Sequence, residues 1–312
     1  MARASRVVCF GECMIELQGQ AFGAMQQTFG GDTLNTAVYL ARYGWRHGIQ
    51  VDYATALGDD SLSAGMLSRW QAEGVGTSLV RRLPGRMPGL YLIEVDERGE
   101  RRFNYWREHS AARSYFDTAV GDTPLEQHID SIDSLYISGI SLAILPTAGR
   151  DRLAAVARAL RERGAMVAFD NNYRPRLWPD LQTAQHSFQT FLELASVGLV
   201  TLDDDMALWG ESNAQSQLPR SLAWPCAELV IKRGALPTLV RVAGQAVQEA
   251  ATVPVAQVVD TTAAGDSFAG AYLAQRMGGA TPLEAAAAGN RLAALVVQHH
   301  GAVIGRQWMP AQ

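Results

Sequence analysis

The chain has 312 residues, 48% of them hydrophobic and 19% charged, with a formal net charge of −4. That length suits one α/β domain with an appendage, or two ordinary domains, and the apolar fraction is enough for a large core. The mildly acidic balance excludes a general nucleic-acid binder or a protein held to anionic membranes by charge, and no segment has the apolar length of a membrane span.

The opening MARASRVVCFGECMIEL has early arginines but neither a long apolar run nor a small-residue cleavage site. RVVCFG (6–11) therefore reads as a first buried strand and not as a signal peptide. DTLNTAVYLARYG (32–44) has apolar residues at helical spacing, with Asp32 or Thr33 placed to cap it. VDYATALG (51–58) predicts a strand and SLSAGMLSRWQAEG (61–74) a helix. The alternation continues with strand SLYISG (134–139), helix 146–163, strand AMVAFD (165–170), helix 180–195 and strand VGLVTL (197–202). The acidic DDDMALWG, strand ELVIKRG (228–234) and strand-like LPTLVRV come next. Repeated βα units imply a mainly parallel sheet with helices on both faces.

One region breaks this rhythm. GLYLIEVDERGERRFNYWR (89–107) predicts two strands around a DERGE turn, and MIELQGQ (14–20) can join them in a small sheet projecting as a lid. Tyr91, Tyr105 and Arg107 would face a cleft beneath it. The edge of such a sheet can pair between subunits, so a homo-oligomer through the lid is compatible with this reading. Cys9, Cys13 and Cys226 are too few for a disulfide framework and lack a second Cys/His pair at zinc spacing. They suit a reducing compartment, the cytoplasm.

Ligands of open α/β sheets bind beyond the carboxyl ends of the strands, where several loops converge. FGGDTLNTA (29–37) offers Gly30 and Gly31 at a helix entry and the amide of Asn35; it is either a flexible entry or a close approach to a ligand. FDNNYRPRLW (169–178) places Asp170, Asn172, Arg174 and Arg176 after a strand, and arginine suits bidentate binding of carboxylate or phosphate. DTTAAGDSF (260–268) places Asp266 in the first turn of a helix whose free N–H groups favour anions. An acid there either caps the helix or acts as a base beside a phosphate, accepting the proton of an attacking hydroxyl. Walker-type GxxxxGK(S/T), protein-kinase HRD and DFG, GxGxxG after the first strand, and HExxH are all missing from the sequence.

DTTAAGDSFAGA resembles the DTxGAGD signature of the ribokinase-like (PfkB) carbohydrate kinases, and GGDTLNTAVYLARYG resembles their N-terminal signature. FGECMIEL, GLYLIEVDERGERRFNYWR, SLYISGISLAIL, FDNNYRPRLW, TLDDDMALWG and VIKRGA together resemble the bacterial 2-keto-3-deoxygluconate kinases, essentially end to end. The resemblance implies an α/β, ribokinase-like three-layer sandwich with a mainly parallel central sheet and a small β-sheet lid. Residues 1–312 would form one kinase domain, with lid strands within about 12–30 and 88–108.

The implied activity is ATP-dependent phosphorylation of the terminal (C6) hydroxyl of 2-keto-3-deoxygluconate. Asp266 would be the base, with the backbone of Ala263, Ala264 and Gly265 as anion hole; the family commonly has glycine at the position of Ala263. Gly30, Gly31, Asn35, Tyr91, Tyr105, Arg107 and Arg174 would bind the sugar acid, although either arginine can serve the ATP phosphates instead. Lys232, Gly234 and Asn290 would line the nucleotide pocket together with Ala264 and Gly265. Magnesium is implied by phosphoryl transfer. The family's NxxE motif falls on Leu202 and Asp205, which makes Asp205 a metal contact through water or simply part of an acidic first turn. Activation by a monovalent cation is left open. The alternatives are a related kinase acting on fructose, ribose or another sugar acid, and a silent sugar-binding protein, against which the presence of Asp266 stands.

Overall fold

The computed structural model describes residues 4–20, 22–95 and 101–310; the predicted DERGE turn (96–100) lies outside these described residues. Strand β1 (Ser5–Phe10) starts the central sheet. Its side chains alternate between two cores, Val7 and Cys9 in one, Val8 and Phe10 in the other. A strand buried on both faces needs apolar side chains throughout, which is why RVVCF shows no polar alternation. The chain leaves the sheet for the antiparallel pair β2 (Met14–Gly19) and β3 (Met25–Gly30) and returns with helix α1 (Asp32–Gly44). β4 (Ile49–Leu57), α2 (Ser61–Ala72), β5 (Val75–Gly76) and β6 (Val80–Arg82) extend the sheet on one side.

A second excursion is the hairpin β7 (Leu90–Val95) and β8 (Arg101–Trp106). Past the short α3 (Pro124–Gln127), β9 (Ser134–Ser138) leads to α4 (Gly139–Ile144) and α5 (Thr147–Glu162). β10 (Met166–Asp170) leads to α6 (Leu181–Leu194), and β11 (Val197–Thr201) to α7 (Leu202–Trp209) and α8 (Ala214–Leu222). β12 (Glu228–Arg233), β13 (Leu236–Val242) and β14 (Gln248–Ala250) complete the sheet before α9 (Ala264–Met277) and α10 (Pro282–Val296).

The central sheet runs β14-β13-β12-β11-β10-β9-β1-β4-β5, with β6 also on β4. It is parallel from β12 to β5, and antiparallel only at the β12–β13–β14 edge. There the strands follow one another with no room for a helical crossover. The small sheet runs β3-β2-β7-β8, so it is made from two hairpins far apart in sequence. β3 completes it, although MQQTFG is exposed over its first four residues and carries little apolar pattern.

Helices α1 and α9 pack on one face of the central sheet, with α10 against α9; α4, α5 and α6 cover the other. α9 is buried continuously from Ser267 to Ala274 because neighbours flank it on several sides, so its sequence is apolar almost all round. It lies so close to α1 that a Cβ on Gly270 would stand 2.7 Å from Tyr39 Cβ and 2.9 Å from the Leu40 nitrogen. The Gly270→Ala variant is therefore expected to lose about 1–3 kcal/mol by overpacking, read as a lower Tm; an unchanged Tm would mean that the two helices are not held this tightly.

Candidate active site

Strands β1, β9, β10, β11 and β12 are parallel neighbours, so their carboxyl ends share one edge of the sheet, where α1 and α9 begin. Side chains from these ends form a closed circuit. Asp266, in the first turn of α9, accepts a hydrogen bond from Asn35 Nδ2 at 2.9 Å, and its carbonyl accepts from Thr36 Oγ1 at 3.3 Å. Asp32, at the start of α1, accepts from Ser138 Oγ at 2.5 Å and from Asn172 Nδ2 at 2.8 Å. The Asn172 N–H donates to Asp170 Oδ1 at 3.2 Å, and Lys232 Nζ donates to Asp170 Oδ2 at 2.7 Å. The Lys232 ammonium lies 3.6 Å from where a Cβ would stand on Gly265, which brings the circuit back to α9.

At the mouth of α9, Ala263 adopts φ 60° and ψ 16°, the left-handed region. The Ala264 N–H turns back to the Thr261 carbonyl at 3.2 Å, while those of Gly265 and Asp266 take no backbone acceptor among the described residues. Two free donors at a helix start attract an anion. The loop before them is pinned by Asp260, which accepts from Thr262 N at 3.0 Å and from Gly301 N at 2.9 Å.

The electrostatics at this edge are unbalanced. Asp266 is enclosed by protein on most sides yet keeps a half-open face. Burial, then the charges of Asp32 and Asp170, push its carboxyl from 3.8 up to about 8, against the Asn35 hydrogen bond and the Lys232 charge. Burial also raises Asp32, against the hydrogen bonds of Ser138 and Asn172. A carboxylate poised near neutral pH beside free helix N–H groups can take a proton from a hydroxyl while an anion is held next to it. Asn35 Oδ1 is buried without a hydrogen-bond partner among the described residues.

The other predicted residues lie at varied distances from this centre. Gly30 and Gly31 are demanded by packing: added Cβ atoms would lie 2.1 Å from the Tyr91 hydroxyl and 2.2 Å from the Glu12 carbonyl oxygen. Tyr91 is buried and donates to Glu16, whereas Tyr105 is exposed on β8. Arg107 is buried and paired with Glu12. Arg174 is half-exposed and donates to Asp204 at 3.1 Å. Gly234 sits exposed in the β12–β13 turn. Asn290 accepts from Thr238 Oγ1 at 2.9 Å and donates to the carbonyls of Ala250 and Ala251, so its amide ties α10 to the sheet edge. Asp205 is fully buried, accepting from Trp209 Nε1 at 3.1 Å, Gln217 Nε2 at 2.6 Å and Ser221 Oγ at 2.5 Å. It locks α7 to α8, and the neighbouring Asp204 is the acid that reaches Arg174.

Comparison with known proteins finds that residues 4–309 match the family described as pfkB family carbohydrate kinase. The chain belongs to this family. It is 46% identical to the 2-dehydro-3-deoxygluconokinase of Dickeya dadantii (strain 3937) over 307 residues, 98% of each chain. With the 2-dehydro-3-deoxygluconokinase of Escherichia coli (strain K12) it shares 44% over 310 residues, 99% of this chain and 100% of that one. The crystal structure of aminoimidazole riboside kinase from Salmonella enterica, complexed with aminoimidazole riboside and an ATP analog, superposes with a TM-score of 0.78. It is 25% identical, covering 96% of this chain and 95% of that chain.

In this pfkB kinase three features of the edge escape a sequence reading. Asp32 does not cap α1; Gly31 holds the N-cap position without a side-chain bond, and the Asp32 carboxylate is spent across the cleft. The Asp170–Lys232 pair and the Glu12–Arg107 pair join residues 62 and 95 positions apart. Asp170 at the end of β10 and Glu12 just past β1 are acids at strand ends, a sequence signal that could have pointed to these pairs.

Two expectations concern stability. Ala263→Gly removes the cost of a left-handed alanine and stabilises the kinase by about 1 kcal/mol, seen as a higher Tm; a lower Tm would sink this account of the turn. Asp266 in the folded state holds its proton to about pH 8, whereas the unfolded chain releases it near 3.8. Folded protein binds more protons in that window, so stability falls as pH rises through it. Asp266→Asn escapes this loss and gains on the wild type between pH 4 and 8; parallel stability curves would contradict the raised pKa.

Proposed function

We propose that this kinase transfers the γ-phosphoryl group of ATP to the terminal hydroxyl of 2-keto-3-deoxygluconate (2-dehydro-3-deoxygluconate), giving 2-keto-3-deoxy-6-phosphogluconate. The observation that carries the reading is the Asp266 carboxylate, held by Asn35 at 2.9 Å beside the free N–H groups of Gly265 and Asp266. Near full-length likeness to two enzymes of that name supports the substrate.

Asn35 orients the sugar hydroxyl, and Asp266 accepts its proton as the oxygen bonds to the γ-phosphorus. The bond from that phosphorus to the bridging oxygen breaks, and ADP leaves with the electron pair. The N–H groups of Gly265 and Asp266, with Lys232, hold the transferring oxygens; Lys232 exchanges Asp170 for the phosphate. Arg107 and Arg174 meet the acid end of the sugar. Gly234 and Asn290 border the nucleotide, Asn290 by holding β13 and β14 in place more than by a free donor.

The acids on this edge are hard oxygen ligands of the kind magnesium takes. Among the described residues no three metal-binding side chains gather, so the fit is to an ion carried mainly by the triphosphate and water. Asp170 and Asp204 would hold it through water, and the enclosed Asp205 would act by holding α7 to α8. Such an ion would supply charge neutralisation between the phosphates.

The 1–312 chain is read as one kinase domain with the small sheet as its lid. Exposed Phe103, Tyr105 and Trp106 on edge strand β8 support pairing of two chains through that lid. The three free, buried cysteines suit a reducing cytoplasm. No helix among the described residues is long and apolar enough to cross a membrane. A related kinase for a neutral sugar is the second reading, favoured by the fact that Arg107 and Arg174 are already paired with acids.

ADP release with Mg-ATP and 2-keto-3-deoxygluconate, fructose or ribose tests both. The expected result is strong turnover of the sugar acid alone, reduced about 10²–10⁴-fold or more in Asp266→Asn. Preferred turnover of a neutral sugar would overturn the substrate, and an active Asp266→Asn would overturn the base.

A further inference from the structure

Four stretches of chain cross between the two sheets, 11–13, 30–31, 86–89 and 107–110, and they meet at one spot. A Cβ on Gly31 would lie 2.2 Å from the Glu12 carbonyl oxygen. One on Gly89 would lie 3.0 Å from Glu12 Oε1 and 3.2 Å from Arg107 Cβ. Glu12 and Arg107, 2% and 8% exposed, are joined at this junction through Oε2 and Nη2.

The joint is one-legged. Glu12 Oε1 and Arg107 Nε, the atoms that would complete a bidentate pair, are both buried without a partner, as is Ser110 Oγ on the fourth crossing. Arg107 Nη1 has no protein partner among the described residues and is not among the sealed, unpartnered atoms. A buried ion pair is a poor device for stability, since apolar residues of the same volume do as well or better. Unsatisfied buried polar atoms call for an explanation in function.

We propose that Glu12 is a positioning residue for substrate recognition. It clamps Arg107 at the root of the lid through Nη2, leaving Nη1 to meet the carboxylate of the sugar acid. Recognition then depends on the orientation of the guanidinium, because Glu12 already offsets much of its charge. This inference rests on the sugar-acid reading given above. It adds a residue that touches neither substrate nor nucleotide, and it makes the two sheets share one recognition element.

The experiment compares wild type, Glu12→Ala and Glu12→Gln by steady-state kinetics with 2-keto-3-deoxygluconate and ATP varied separately. Thermal shifts are recorded with the sugar acid alone and with ATP alone. In Glu12→Ala the KM for the sugar acid is expected to rise about 10- to 100-fold. The KM for ATP and its thermal shift stay near wild type, and the sugar-acid shift shrinks. Glu12→Gln, which keeps the shape and one acceptor, shows a smaller rise in the same direction and remains the test where the alanine variant fails to fold. A sugar-acid KM that is unchanged or lowered overturns the proposal, and so does an equal loss toward both substrates, which marks a purely structural residue. Wild-type enzyme that ignores the sugar acid instead overturns the substrate reading and this inference with it.

Discussion

The close packing of α9 on α1 governs the rest of the molecule. With Gly270 set against Tyr39 and Leu40, the two helices run near enough for Asn35 of one to hold Asp266 of the other. Two helix starts are thus brought to one edge of the sheet, each with an acid in its first turn. A helix start favours negative charge, so each acid is tolerated alone. Shielded from water and side by side they repel, and the Asp266 carboxyl is pushed up to about 8. One packing constraint therefore places Asp266, raises its carboxyl, and sets the free N–H groups of Gly265 and Asp266 beside it.

The site carries local costs that the rest of the fold outweighs. Asp266 is half-shielded with a like charge nearby, Ala263 is held left-handed, and Asn35 Oδ1 has no partner. Each would be selected against in an ordinary core. They lie together where the surrounding framework is over-determined: β1, β9 and β10 are sealed on both faces, and α9 is wedged between α1 and α10. The lid root follows the same logic, with a half-made ion pair placed where four chain crossings fix the backbone.

Much of this was legible in the residues. Apolar runs without alternation identified the buried parallel strands, and helical periodicity located α1, α2, α5 and α6 within one or two residues. DTTAAGDSF marked the start of α9 with Asp266 in its first turn, because small residues followed by an acid suit a helix mouth. MQQTFG was weak as a strand because its face is open to solvent and its pairing partner supplies the order. The bonds of Asp205 to Gln217 and Ser221 were not legible, because a sequence says nothing of which face of a helix is sealed by the next one.

The sequence by itself determined the layered α/β class and the family, since these rest on periodicity and on short-range motifs. Only the tertiary structure decided which charges meet. Asp170 with Lys232, Glu12 with Arg107, and Asp32 with Ser138 and Asn172 each join different strand ends, at separations from 62 to 140 residues. A one-dimensional pattern cannot show such pairings, because the energy of a charge depends on the water it loses and the partner it gains. Both are settled only once the sheet has brought its strand ends together.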